Sequence, residues 1–406
     1  MLRFAAIQEY LRSSLWFIPA VFALAAIGLS LAMTSIDRLL PPDVGAIFGG
    51  TAEGARSVLS TIAQSMLTFT ALVFTVTMLV LQLASSQLSP RVMRTYLRDR
   101  TNQSVLGLFV ATFLYTLLVL REIRSPADGG VGFVPGASIT VAFVLLLASV
   151  GAFVYYIDHM AHAIRATTVM DSIAAETRRT IERVHPDEPV TPEVDVARAA
   201  WEQNDEPPRI LAAGRDGRVV GLDEEAILEV ADVGDRRAEL VPMVGDAVVE
   251  GGPLFRLWGS WDADDVTRLS RAVSIGSERT SQQDVGFGLR QLVDIALRAL
   301  SPGINDPTTA VQTIDRIHAL LRRLAVSGYP GPVATDGAGG PRVMIRWPSW
   351  ADYLQLATEE IALAGATQPA VTRRLHSMLT DLSSVTTGDR RLAVWAAVRR
   401  IPHPAG

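Results

Sequence analysis

The chain has 406 residues, with 37 basic side chains, all of them arginine, against 42 acids, and no cysteine. The missing cysteine excludes a disulfide framework, a thiolate nucleophile and any cysteine-based metal site. Up to Ile157 ten arginines meet seven acids and beyond it 27 meet 35, so the two parts are +3 and −8 and neither supports a nucleic-acid partner.

Four apolar runs open the chain: Leu15 to Met33, Val58 to Ala84, Ser104 to Leu120 and Ala137 to Ile157. About 20 apolar residues cross a bilayer as a helix, so residues 1–157 read as a four-helix transmembrane domain. The first run lacks a short hydrophobic core followed by a small-residue cleavage site and is expected to be retained. Short cytoplasmic loops carry the excess of positive charge, and the loop after the second run holds Arg91, Arg94, Arg98 and Arg100 against Asp99 alone. This predicts that both termini are cytoplasmic. The same arginines suit anionic lipid contact or a basic ring at the inner mouth of a channel.

The second run carries a polar stripe. Ser57, Thr61, Gln64, Thr68, Thr75, Gln82 and Ser86 recur at helical spacing, interrupted only where Ala71 or Leu72 and Met78 or Leu79 take a turn. One reading is a water-filled path lined by Thr61, Gln64, Thr68, Thr75 and Gln82, which four helices per subunit would build only as a homo-oligomer. The other is hydrogen bonding between packed helices, worth about 0.6 kcal/mol per contact. At the end of the fourth run His159 and His162, beside Asp158, suit a pH-sensitive gate. They offer too few ligands for tetrahedral zinc, and no metal or cofactor is expected.

The charged stretch from Asp158 to about His185 is expected to continue the fourth helix rigidly. Proline and acid residues then break it, and 158–208 is read as connecting helix and linker, with a short helix over Val194 to Gln203. Residues 209–260 alternate short apolar runs with glycine turns, the pattern of a small β-barrel or sandwich. Within them Gly245, Asp246, Val248, Gly251 and Leu254 resemble the hammerhead of biotinyl and lipoyl carrier domains. A carrier needs a modifiable lysine and the chain has none, so a structural or docking role is expected.

Residues 261–406 read as mainly helical, beginning with an amphipathic pair over Gln283 to Leu300 and Pro307 to Leu324. Their linker, Ser301, Pro302, Gly303, Ile304, Asn305, Asp306 and Pro307, is dense in turn chemistry, with Asp306 as N-cap and Pro307 at the first helical position. A helix N-terminus there could hold a small anionic ligand, although the Asp306 carboxylate competes for the same amides. Arg290, Asp294 and Arg298 form a salt-bridge row. A short strand from Pro341 and two or three helices complete the chain. No nucleophile elbow, P-loop or His-Glu-x-x-His motif occurs, and no enzyme activity is expected.

Several stretches resemble a family of predicted bacterial membrane proteins, domain of unknown function 2254. They are Ala84 to Arg91 (ASSQLSPR), Leu97 to Arg100 (LRDR), Ser277 to Thr280 (SERT) and above all Gln291 to Ala310 (QLVDIALRALSPGINDPTTA). The resemblance implies four membrane spans and a cytoplasmic domain, with no activity to carry over. The fold class expected is therefore an integral membrane α-helical domain plus a cytoplasmic α+β domain with a small β module and a helical bundle. The function expected is an ion channel or channel-like conduit in a homo-oligomer; the alternative is a non-conducting regulatory or scaffold protein whose cytoplasmic domain binds a partner or small ligand.

Overall fold

The computed structural model describes residues 16–39, 51–87, 100–124, 133–163, 165–186, 201, 207–234, 236–330, 333–335 and 341–401. They form two compact units, 1–168 and 169–406.

The first unit contains α1 (Phe17–Leu39), α2 (Ala52–Gln87), α3 (Arg100–Glu122) and α4 (Gly136–Ala163). All four helices are long and apolar enough to cross a membrane. Half of the apolar stretch of α3 is buried, against 17–22% for the others, so α3 is the central strut and the other three present most of their apolar surface outward. Close packing follows from small residues: a Cβ on Gly107 of α3 would lie 3.0 Å from the Phe22 ring of α1. Phe69, Phe109 and Phe153 tie α2, α3 and α4 together, with the Phe69 and Phe153 rings stacked at 4.9 Å. Asp37 closes the N-terminus of α4, accepting from the amides of Ala137 and Ser138 at 2.8 and 2.9 Å.

The fourth membrane helix is described to Ala163, and α5 (Ala166–Val184) is a separate helix over the charged stretch, with the Arg165 amide donating to the His162 carbonyl. Ile164, where one continuous helix was expected, lies outside the described residues.

In the second unit the strands build two sheets. Strands β1 (Arg209–Ala212), β3 (Arg237–Leu240), β5 (Pro253–Trp258), β7 (Val333–Thr335) and β8 (Pro341–Ile345) form one sheet in the order β1-β5-β3-β8-β7. Strands β2 (Gly217–Leu222), β4 (Ala247–Val248) and β6 (Val273–Gly276) form the second, ordered β4-β2-β6. Among the described residues only β3 with β8 is parallel. Helices α6 (Glu224–Ala231) and α7 (Ala263–Ala272) share the core of both sheets, where Val219, Leu240, Phe255, Ile227 and Leu269 are fully buried. Of the expected barrel or sandwich, no closed barrel is found among the described residues. Both sheets are open, β4 is only two residues long, and α6 and α7 occupy the space a closed barrel would fill with strands. The strands of the glycine-rich motif separate, β4 joining one sheet and β5 the other.

The helical part comprises α8 (Val285–Ala299), α9 (Pro307–Val326), α10 (Trp350–Ala364), α11 (Pro369–Val385) and α12 (Gly388–Arg400). Capping side chains set the starts of several of these. Asp284 caps α8, Asp306 caps α9, and Ser349 with Asp352 forms a capping box on α10. Val194 to Gln203, apart from Trp201, lies outside the described residues.

Candidate functional site

Helix α2 carries polar rows on opposite sides. The inner row, Thr70 and Thr77, faces the bundle. Thr77 Oγ1 lies 3.2 Å from Asn102 Oδ1 and 2.9 Å from Tyr156 Oη, while Tyr156 Oη donates to the Val73 carbonyl at 3.1 Å. Asn102 and Tyr156 are buried, so this cluster locks α2 to α3 and α4. A second link, Thr112 Oγ1 to Ser149 Oγ at 3.1 Å, joins α3 to α4. The sequence reading missed this row. Its signal was present as the seven-residue spacing of Thr70 and Thr77, opposite the longer stripe.

The outer row holds the stripe read from the sequence. Ser57, Thr61, Gln64, Thr68, Thr75 and Gln82 are all exposed on the outside of the first unit. The threonines bond back to their own helix: Thr61 to the Ser57 carbonyl (2.8 Å), Thr68 to Gln64 (3.1 Å) and Thr75 to Ala71 (2.9 Å). No side chain of the row bonds to another helix among the described residues, and the Gln64 and Gln82 carboxamides have no hydrogen bond there. Apolar rows flank it, with exposed Leu67, Phe74 and Met78 on one side and Leu72 and Leu79 on the other. In a bilayer a carboxamide facing hydrocarbon without a partner costs several kcal/mol, about 2–7 by transfer measurements. Such a face therefore calls for water or for a second protein surface.

Of the arginines after α2, Arg91, Arg94 and Arg98 lie outside the described residues, and Arg100 is exposed at the start of α3. His162 Nδ1 lies 2.8 Å from the Asp158 carbonyl and 3.6 Å from its carboxylate, while His159 packs on the Tyr155 ring at 6.0 Å. The two histidines thus have different partners one turn apart. Among the described residues no three His, Asp or Glu side chains converge as a metal site.

The linker between α8 and α9 is a closed turn. The amides of Ile304 and Asn305 donate to the Ser301 carbonyl, and the Asp306 amide reaches the Ala299 carbonyl at 2.8 Å. Asn305 takes φ +49°, and its Oδ1 accepts from Gln368 Nε2 at 3.0 Å. The Asp306 carboxylate accepts from the Thr309 hydroxyl (2.6 Å) and amide (3.0 Å), which hold it below the usual carboxylate range. It occupies the amides an anion would need. Pro302 and Gly303 are exposed, and Pro307 begins α9.

A junction that the sequence reading did not assemble lies just before α8. Asp284 is buried, with its side chain 4% exposed, and takes Arg279 in a two-pronged pair, Nε to Oδ2 at 2.7 Å and Nη2 to Oδ1 at 2.8 Å. Its Oδ1 also accepts from the Phe287 amide at 2.8 Å. Gly245 packs against this pair at φ +95°, where a Cβ would come within 2.4 Å of Asp284 Oδ2. The Gln283 carboxamide grips Leu222 of β2 through both its amide (2.7 Å) and its carbonyl (3.0 Å). Ser281 and Gln282 accept through their carbonyls from Thr180 (2.6 Å) and Arg183 (2.5 Å) of α5. Residues 277–284 therefore bind α5, the β2 sheet and α8 to one another. The SERT stretch and the lone glycine at 245 were the visible signals, but only the fold brings them together.

His185 closes α5 onto α9. Its Nδ1 lies 3.1 Å from the Gly328 carbonyl, and the Gly328 amide donates to the Pro186 carbonyl at 2.7 Å. Burial among Tyr329 and Tyr353 pushes the imidazole below its ordinary pKa, and its Nε2 has no partner among the described residues.

Comparison with known proteins places this geometry in a family. The model described as "Predicted membrane protein (DUF2254)" matches residues 12–381. Uncharacterized proteins of Mycobacterium bovis and Mycobacterium tuberculosis are each 35% identical over 415 aligned residues, covering 98% of this chain and 78% of the relative. No solved structure matches.

Proposed function

The chain belongs to the DUF2254 family of predicted membrane proteins, and from that premise we propose that it is a homo-oligomeric, channel-like conduit in the bacterial inner membrane. The observation that carries this reading is the outward Ser/Thr/Gln row of α2, above all the Gln64 carboxamide, which has no hydrogen bond among the described residues and lies near the middle of the 31-residue candidate span. Copies arranged around an axis would turn this row toward water. The rows of Leu67, Phe74 and Met78 and of Leu72 and Leu79 would then pack neighbouring α2 helices against one another. The inner Thr77–Asn102–Tyr156 cluster holds α2 in that orientation.

The arginine-rich segment from Arg91 to Arg100 supports cytoplasmic termini. It also gives the inner mouth a positive field, which favours anions along a neutral hydroxyl-lined path. The second unit then assembles copies and biases opening. No catalytic role is proposed for any residue.

The test is conductance of the purified full chain in planar bilayers, with subunit number taken from the same sample by native mass spectrometry. Thr68→Leu and Thr75→Leu are expected to reduce unitary current while the oligomer persists. Unchanged current in both variants removes the pore assignment. A protein that stays silent across pH, voltage and tension leaves a membrane-anchored scaffold.

A further inference from the structure

Helix α12, sequence GDRRLAVWAAVRR, carries four arginines and one acid, although the chain beyond Ile157 is net −8. One arginine is committed inward: Arg390 Nη1 donates to the Ala325 and Ser327 carbonyls at 2.9 Å, and its guanidinium lies 4.7 Å from the Tyr329 ring centre. Arg391, Arg399 and Arg400 are exposed. Arg391 Nε donates to the Thr386 carbonyl, and Arg399 and Arg400 make no ion pair among the described residues.

The inner face of α12 is accounted for by buried Val394 and Ala397 and by Trp350 Nε1 donating to the Arg390 carbonyl at 3.0 Å. Its outer face is not polar. Leu392 is 67% and Trp395 49% exposed. At 100° per residue Arg391, Trp395, Arg399 and Leu392 fall within one sector of about 100°. Beside them Leu363 of α10 is also exposed, next to a groove of about 260 Å³ that includes Ala393, Ala396 and Arg400. The acids bordering this surface are Asp389 and Glu359.

An indole and a leucine set among guanidinium groups form the surface of a helix that lies in the headgroup layer of a membrane. Two large apolar side chains cover far less than the roughly 1,600 Å² that a stable protein interface buries. A lipid surface needs no such area here. The apolar helices are covalently joined to the unit that carries α12, so a weak contact with lipid gains from the tether's effective concentration. We propose that α12 docks on an anionic phospholipid surface, with Trp395 and Leu392 entering the headgroup layer and Arg391 and Arg399 pairing with lipid phosphates. This assignment is independent of whether α2 lines a conduit.

The absence of cysteine makes the test direct. A spin label at Leu392→Cys in the full chain, with Trp395 kept, reports collisions with oxygen dissolved in lipid and with a water-soluble nickel complex. A label at Val233→Cys, an exposed position away from α12, serves as the control. In nanodiscs containing phosphatidylglycerol the 392 label is expected to gain oxygen and lose nickel accessibility, while in pure phosphatidylcholine it stays open to nickel. Each arginine contributes about fivefold to interfacial occupancy, so R391Q/R399Q should lower it roughly 25-fold. Salt near 1 M should act likewise on the chain with those arginines intact, because the Debye length shrinks to about 3 Å. A label open to nickel on both lipids, or equally buried in lipid on both, overturns the proposal. A label shielded from both probes on either lipid overturns it in favour of a protein cover.

Discussion

Replacing Asp284 by Asn keeps the shape of the side chain and removes the charge that Arg279 grips. Asp284 is 4% exposed, and its carboxylate takes both prongs of the guanidinium and the Phe287 amide. The guanidinium, itself only 28% exposed, would lose both of its carboxylate contacts. Breaking such a pair costs about 3–5 kcal/mol. The cap on α8 is largely kept by the Asn oxygen, since Asn and Asp cap about equally well. The contact is local, so the readout is hydrogen exchange by mass spectrometry over residues 277–300 in the full-length protein. The lower bound of about 3 kcal/mol corresponds to exchange faster by more than a hundredfold, at tenfold per 1.4 kcal/mol. The companion variant Arg279→Met with Asp284→Asn removes both charges and should recover much of the loss, because neither charge is left without the other. Exchange that accelerates less than tenfold in Asp284→Asn, or a double variant worse than the single by the full amount, would refute the view that this pair holds the junction.

Gly288→Ala places a methyl 1.9 Å from the Thr177 hydroxyl of α5, so α5 must shift and about 1–3 kcal/mol of local stability should be lost; Gly288→Ala with Thr177→Ala should restore it, as read by exchange over residues 170–184. His185 has its pKa lowered first by burial and then by the nearby Arg390 charge, partly opposed by the Gly328 carbonyl. The folded protein therefore binds its proton less readily than the unfolded chain, and this contribution to stability is present above about 6.5 and falls away as pH drops below that value. Thermal unfolding should show a loss between pH 7.5 and 5.5 that is smaller in His185→Leu; an equal loss in both proteins would assign the dependence to other groups.

The long apolar runs were enough to identify four membrane helices, because length and hydropathy alone meet the bilayer requirement. The start of α9 was legible at Asp306 to Pro307, where local capping chemistry acts within three residues, whereas α8, expected from Gln283, begins at Val285 because Asp284 caps it. Periodicity also located the stripe on α2, but it could not tell which side of the helix faces the bundle. That depends on α3 and α4, whose Asn102 and Tyr156 engage Thr77 and leave Gln64 and Thr68 outside. The β region was legible as short strands, whereas the pairing of β3 with β8, about a hundred residues later, is a long-range contact that no local pattern encodes. Residues 277–284 show the same division. Arg279 and Asp284 are ordinary charges in the sequence, and only burial beside Gly245 makes their pairing compulsory, because an ion removed from water must find its partner.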